Sequence, residues 1–390
     1  MDAYIVAATR TAGGRKGGRL AGFHPVDLSA LLLDELLDRC GSPSIEVEDV
    51  IFGCVTQIGE QSANIARGAI LASRLPLSVP GTTVDRQCGS SQQALHFAAQ
   101  AIMSGCMDVV IAGGVESMSR VPLGSSVFLA KQEGFGGPLS PKILERFGEQ
   151  GRFSQFTGAE QVARKYGLAR PALDAFALES HQRAARATRR GAFNREIFPL
   201  KVTGEDGQEV SHEADEGIRF DANLEAISEV KLLADGGCLT AATSSQICDG
   251  AAAVMLASER AISRYELQPL ARIRETGVLG GDPVIMLEAP IPATQATLRK
   301  AGLGIGDIDL YEVNEAFASI PLAWAQALGA DRDRMNVNGG AISLGHPLGA
   351  SGAKLMTTLV HALVEKDKHL GLLTMCEGGG MANVTIVERV

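Results

Sequence analysis

The chain has 390 residues, 45% of them hydrophobic, 21% charged and 5% aromatic, with 45 glycines. That length holds one large or two to three ordinary domains, and abundant glycine with few aromatics favours an α/β protein with many tight strand-to-helix turns. A formal net charge of −9 argues against nucleic acid or a membrane surface as a partner.

In chain order, strand and helix patterns alternate. Residues 2–8 read as a strand that starts almost at once, with no basic segment and long apolar run to mark a secretory signal. Residues 25–39 and 64–73 have helical spacing, and 49–55 read as a strand. Between residues 91 and 104, Ala94, Leu95, Ala98, Ala101 and Ile102 fall on one helical face, and Gly105 is a natural stop. Residues 108–112 read as a buried strand ending at Gly113-Gly114. From 118 to 230 the chain is richer in charge, Gly and Phe, with helical patterns at 159–166 and 171–190, which marks an insertion. Strand patterns return at 250–257, 270–278, 308–313 and 370–375, with a helix at 355–365 and a last strand in "VTIVERV".

The longest apolar runs are strand-length, so no transmembrane segment is expected, and the C-terminus lacks a Ser-Lys-Leu ending. Seven cysteines without a Cys-x-x-Cys pair or regular spacing argue against disulfides and zinc, and for a reducing cytoplasm. A faint internal repeat is visible. The first half runs strand, Cys88 turn, helix, strand, "AGGVES"; the last part runs "NVNGGAISLGHPLGASGAK", helix, "LGLLTM", "CEGGG".

Four stretches carry chemistry. In "VDRQCGSSQQAL", Cys88 sits at a helix entrance, where unpaired N–H groups and the positive dipole end lower a thiol pKa. The plainer reading is a small buried hydrophobe, which also fits Cys40, Cys54, Cys106, Cys238 and Cys248. A nucleophilic Cys needs a base. Of seven histidines, His346 stands apart, flanked by glycines and followed by Pro347 in "GGAISLGHPLGASGA". Its alternative is a helix cap. A phosphate loop is excluded, because His346-Pro347 replace the required Lys and Ser/Thr. Cys376 ends a strand before Gly378, Gly379 and Gly380, whose N–H groups suit an oxyanion hole. Asn314 and Glu315 follow a strand in "YEVNEAFAS", placed to orient a water or a carbonyl, or to cap a helix.

These stretches, in this order, resemble the motifs of the thiolase family: "VDRQCGSSQQAL", "NEAFA", "NGGAISLGHPLGASG" and "CEG". "RTAGGRKGGRL", "CVTQIGEQSANIAR", "DGAAAVMLAS" and "IPATQATLRKAGL" extend the likeness over essentially the whole chain. The resemblance implies two similar α/β halves packed as a five-layer αβαβα core: residues 1–117 with 231–264, and residues 265–390. Residues 118–230 would form an inserted loop domain over the site. It implies that Cys88 carries the acyl group, that His346 activates Cys88 and steadies the thioester oxygen, and that Asn314 holds a water in that oxyanion hole. Cys376 would move the α-carbon proton, and the N–H groups of Cys88 and Gly378 would form a second oxyanion hole. Ser245, Ala316 and Phe317 would line the pantetheine tunnel, with Arg219 near the nucleotide end. Coenzyme A would be a substrate, with no permanent cofactor or metal, and the assembly a homodimer or homotetramer.

Three departures bear on the acyl group. The pocket loop is "SQFTGAE", without the Met that packs on short chains; "NASG" is replaced by "TSSQ"; and Glu377 stands where an apolar residue is commoner. These changes resemble thiolases of long or bulky 3-ketoacyl-CoA, including steroid side-chain degradation. An inward carboxylate at 377 would raise the Cys376 pKa, so an outward orientation is expected. A ketoacyl synthase-like enzyme would lack the Cys-x-Gly end, and a non-catalytic acyl-CoA or lipid-binding relative commonly loses a Cys or His that is present here.

Overall fold

Strands buried on both faces need apolar side chains at successive positions instead of alternate ones. The run "CDGAAAVMLAS" meets that need and forms a strand buried along its whole length. The computed structural model describes residues 1–151, 153–204 and 207–390. The first part contains β1 (Ala3–Arg10), β2 (Gly14–Arg15), α1 (Pro25–Cys40), β3 (Asp49–Gly53), α2 (Ile65–Ala72), β4 (Gly81–Val84), α3 (Ser90–Met103) and β5 (Val109–Ser117). Next come α4 (Ser125–Gln132), α5 (Pro141–Phe147), α6 (Gln155–Lys165), α7 (Arg170–Arg189), β6 (Leu200–Thr203), β7 (Glu209–His212) and α8 (Leu224–Ser228). The remainder contains β8 (Cys248–Ser258), α9 (Glu259–Tyr265), β9 (Ala271–Gly280), α10 (Pro290–Ala301), β10 (Leu310–Val313), α11 (Ser319–Leu328), α12 (Ala341–Leu344), α13 (Ser351–Glu365), β11 (Leu370–Glu377) and β12 (Met381–Arg389).

The repeat is a repeat of topology. The strand order is β10-β11-β12-β9-β1-β8-β5-β3-β4. Read outward from its middle, each half has two antiparallel pairings and then a parallel one: β1/β8, β8/β5, β5/β3 in the first, and β9/β12, β12/β11, β11/β10 in the second. The halves are not fully separate sheets. They join where β1 meets β9 through two pairs, Tyr4 with Arg272 and Ile5 with Ala271.

Helices then stack the halves into five layers. The inner faces of both half-sheets bury against α3 and α13, with Ala94, Leu95, Leu355 and Leu359 packed among Ile5, Val254, Leu256, Leu373 and Met375. On the outer face of the first half, Leu28 and Leu32 of α1 and Ile65 of α2 meet Phe52 and Met255. On the other outer face, Ile291 and Leu298 of α10 and Trp324 of α11 meet Leu372 and Ile386. Each fully buried Leu or Ile stabilises this stack by about 1.5–3 kcal/mol.

Glycines set how closely the layers approach. The expected strand end at Gly113-Gly114 is overturned: β5 runs through both to Ser117. There a Cβ on Gly114 would overlap the Gly349 carbonyl, and one on Gly352 would overlap the Gln92 backbone nitrogen of α3. The Ala353 N–H also donates to Ser91 Oγ at 3.0 Å. The segment between β5 and β8 packs Val162, Leu173 and Phe176 onto the outer cluster of the second half. Fully buried Arg10 of β1 pairs with Glu196 at 2.6 Å and with Asp215 at 2.8 Å, and Lys354 of α13 reaches Asp215 at 3.3 Å. This paired charge cluster ties that segment to β1 and α13. Removing one partner would strand a buried charge.

Gly352→Ala is expected to lower the unfolding free energy by about 2–3 kcal/mol, the cost of overpacking against backbone that cannot move aside. Urea denaturation of the variant beside the parent protein measures this.

Candidate active site

The turn before α3 is wound by its own polar side chains. Asp85 Oδ1 accepts from the Gln87 N–H at 2.7 Å. Ser90 Oγ accepts from the Arg86 N–H at 2.9 Å and donates to the Gln87 carbonyl at 2.6 Å. These bonds hold Gln87 at φ +51°, a left-handed conformation that costs a non-glycine residue energy. Cys88 follows, half-buried, one residue before the Gly89 cap of α3. It keeps an opening to the surface but is densely surrounded by protein.

That crowding overturns the expected drop in the Cys88 pKa. Burial pushes the thiol up to about 12, and the Glu377 and Glu116 charges add to the rise. The N–H groups of Cys88 and Gly378 face the sulfur and oppose the rise without cancelling it. Gly378 therefore stands where its glycine-rich turn was expected to place a donor. Cys376 is fully buried at the end of β11. Its thiol is raised well above the ordinary value by burial, then by the Cys88 and Glu377 charges. The two thiols therefore sense each other.

His346 follows Gly345, whose φ is +81°, and precedes a short 3₁₀ turn at Leu348–Ala350. It caps no helix. Its Nδ1 lies 2.6 Å from Ser351 Oγ, and Ser351 Oγ donates its own hydrogen to the Pro347 carbonyl at 2.8 Å. Nδ1 must therefore carry the proton, which leaves Nε2 as the basic lone pair. Burial, with the Lys354 charge adding to it, holds the imidazole down at about 4, so it is neutral near pH 7. Asn314 Nδ2 lies 3.4 Å from His346 Nε2, while buried Asn314 Oδ1 has no partner among the described residues. Glu315 is committed to structure: its carboxylate accepts from Ser180 Oγ at 2.7 Å, Asn336 Nδ2 at 2.9 Å and the Ile342 N–H at 3.1 Å. Neither residue caps α11, which starts after Ala318.

Ser245, Ala316 and Phe317 come together. The Ser245 N–H donates to the Ala316 carbonyl at 2.9 Å, and Ser244 and Phe317 form an isolated bridge. The next residue, Gln246, accepts the His346 N–H at 3.1 Å, which joins this strip to the imidazole. Phe317 is buried, and its ring meets the Phe156 ring edge-on at 5.6 Å. Arg219 stands apart: it is exposed, and its backbone N–H donates to His181 Nδ1 at 3.2 Å. Sequence reasoning missed Ser351 and the individual role of Phe156. A hydroxyl five residues after His346 and a Phe inside "SQFTGAE" were the available signals. Glu377 corrects the expectation directly. Its side chain is fully buried and turned inward against Gly89.

With this geometry in place, the comparisons are direct. The family model described as thiolase, N-terminal domain, matches residues 3–260, and that described as thiolase, C-terminal domain, matches residues 267–389. The chain belongs to the thiolase family, and is with it an acyltransferase. A steroid 3-ketoacyl-CoA thiolase, FadA6, of Mycobacterium tuberculosis is 51% identical over 391 residues, which cover 100% of this chain and 94% of that relative. The 3-ketoacyl-CoA thiolases of Klebsiella pneumoniae and Cronobacter sakazakii are 45% and 44% identical, each over 99% of both chains.

The buried imidazoles predict how stability depends on pH. His346 and His96 are held down at about 4 and about 3, below the value of about 6.5 in an unfolded chain. Below that unfolded value the unfolded state binds more protons, so stability rises with pH there and is lost as pH falls toward 4. Each imidazole is expected to cost about 2 kcal/mol of stability at pH 5 relative to pH 7. Urea unfolding at the two pH values, with His96→Gln as the comparison, measures the difference.

Proposed function

We propose that the protein is a 3-ketoacyl-CoA thiolase working through an acyl-Cys88 intermediate. The observation that carries this reading is the meeting of two thiols, with backbone N–H groups facing one of them, together with a buried neutral imidazole on the lead into α13 whose Nδ1–H is held by Ser351. In cleavage, His346 Nε2 takes the Cys88 proton and the sulfur bonds to the 3-keto carbon. The C2–C3 bond breaks, Cys376 gives its proton to the departing enolate, and acyl-Cys88 and acetyl-CoA remain. The N–H groups of Cys88 and Gly378 hold the acyl oxygen, while His346 and a water on Asn314 hold the thioester oxygen. CoA then takes the acyl group as the acyl–Cys88 bond breaks; its thiol proton restores Cys376, and His346 returns its proton to the Cys88 sulfur. Condensation runs the same steps backward.

Coenzyme A enters as a substrate under the segment 118–230, along Ser245, Ala316 and Phe317, with exposed Arg219 toward the nucleotide. No resident cofactor is needed. The acyl group is long or bulky, of steroid side-chain type. The support is the steroid-thiolase name of a relative 51% identical to this chain, and the absence from the loop "SQFTGAE" of the Met that packs on short acyl groups. The protein works as a cytoplasmic homodimer or homotetramer. In support of assembly, the edge strand β4 is unpaired on one side and Phe128 and Phe135 are exposed. No helix of the described residues is long and apolar enough to cross a membrane.

Cys88→Ser is expected to abolish trapping of a labelled acyl group. Cys376→Ala should leave acylation of Cys88 from a simple acyl-CoA intact while slowing carbon–carbon cleavage by about 10²–10⁴-fold. Equal loss of both half-reactions would make Cys376 structural. Thiolysis across a series from acetoacetyl-CoA to long-chain and steroid-type 3-ketoacyl-CoA tests the acyl reading, and a preference for acetoacetyl-CoA would overturn it.

A further inference from the structure

Glu377 is the buried ionisable group that this mechanism leaves unused. Its side chain is inaccessible, and neither carboxyl oxygen has a hydrogen-bond partner among the described residues. A Cβ on Gly89 would overlap Glu377 Oε1, so the carboxyl lies against the cap of α3, next to Cys88. A carboxyl buried without partners is expensive and rare, and its presence demands a reason.

The repeated fold supplies an internal comparison. Glu116 lies near the end of β5 as Glu377 ends β11, and each faces the chain leading into the central helix of the other half. Glu116 accepts from the N–H groups of Gly349 at 2.9 Å, Val55 at 2.9 Å and Thr56 at 3.0 Å, and from Gln61 Nε2 at 2.9 Å. Those four donors make it a brace between segments. Glu377 has the same place in the repeat and none of the donors.

The surroundings of Glu377 define what its charge acts on. From the turn before α3, the Arg86 cation and the Cys88 thiol face it, and Cys376 adjoins it on β11. From β5, the Glu116 carboxylate acts on the same Cys88 sulfur. From β12, the Asn383 N–H faces the carboxyl without closing a hydrogen bond on it.

We propose that Glu377 is a positioning residue acting through Cys88: as the neutral acid it leaves the Cys88 thiolate the only new negative charge in the pocket, and once ionised it opposes that thiolate and sets the alkaline limit of acyl transfer. This rests on Cys88 being the nucleophile. Burial supports it by pushing the Glu377 carboxyl up to about 8, against the pull of Arg86. The acid is therefore mostly neutral at pH 7 and loses its proton to solvent as pH rises through that value.

The test is Glu377→Gln, which keeps the shape and removes the charge. Alkylation of Cys88 by iodoacetamide is followed by peptide mass from about pH 6 to about pH 10, beside the pH profile of acyl transfer to Cys88. The variant is expected to alkylate about tenfold faster at about pH 9, the effect of a one-unit fall in thiol pKa, and to lose the alkaline decline in acyl transfer. Glu377→Asp should keep both pH dependences. If Glu377→Gln unfolds with the same midpoint as the parent and both profiles stay in place, the carboxyl only fills space and the proposal falls. Should Glu377→Gln fail to fold, the apolar Glu377→Met gives the same reading. A parent protein that alkylates at Cys88 but is never acylated there would instead overturn the nucleophile assignment.

Discussion

The contact between the starts of α3 and α13 constrains everything else. Both helices are shared by the two half-sheets, and their entrances carry Cys88 and His346. They approach closely only because Gly352 leaves room for the Gln92 backbone and Gly349 nests against Gly114. The Ala353 N–H to Ser91 Oγ bond fixes their register. Duplicated topology thus does what no single half can do. Each half presents one helix entrance and one strand end, and folding back to back sets each strand end against the other half's helix entrance. The precision comes from rigid elements that hold the ends of the short turns bearing Cys88, His346 and Gly378.

A site this deeply buried resists charge. Both thiols are pushed up, Glu377 is pushed up and His346 is pushed down, each chiefly by burial. The resting site is therefore close to neutral. In the proposed mechanism the charges of acyl transfer arise by moving a proton within the site, from the Cys88 sulfur to His346 Nε2. Fixed donors then meet the charge where it forms and need no reorganisation. Ser351 matters here beyond its one hydrogen bond. By accepting from Nδ1–H it decides which imidazole nitrogen is basic, and Pro347 decides Ser351 in turn.

Much of this was legible in the letters. Uninterrupted apolar runs marked the buried strands, helical spacing marked α3, and three chemically unusual residues at glycine-rich turns marked the site. What escaped has a common physical cause: it depends on what lies opposite in space. Gly113 and Gly114 read as a strand end, yet the strand passes through them because the other half leaves no room for a Cβ. Glu315 read as a group that could orient a water, yet Ser180, Asn336 and Ile342 from distant segments consume its oxygens. Cys88 does stand at the entrance of α3, as the letters placed it, and the Cys88 and Gly378 N–H groups do lower its thiol pKa. Their effect is outweighed by a desolvation that no local window records.

The two strand-end glutamates show how a duplicated fold separates structure from chemistry. Equivalent positions begin with equivalent surroundings, and each glutamate faces the lead into the opposite central helix. On the β5 side the chain supplies four donors and the carboxylate becomes a fixed joint. On the β11 side the matching space is given to the turn that bears Cys88, whose N–H groups bond within the turn or, at Cys88 itself, face the sulfur instead of the carboxyl. A donor set cannot serve both. Where the N–H groups are committed to an oxyanion, the neighbouring carboxyl must stay neutral or oppose the nucleophile. The unpaired state of Glu377 is thus the electrostatic counterpart of the donors aimed at Cys88, and the pH at which it ionises follows from the same burial that makes those donors effective.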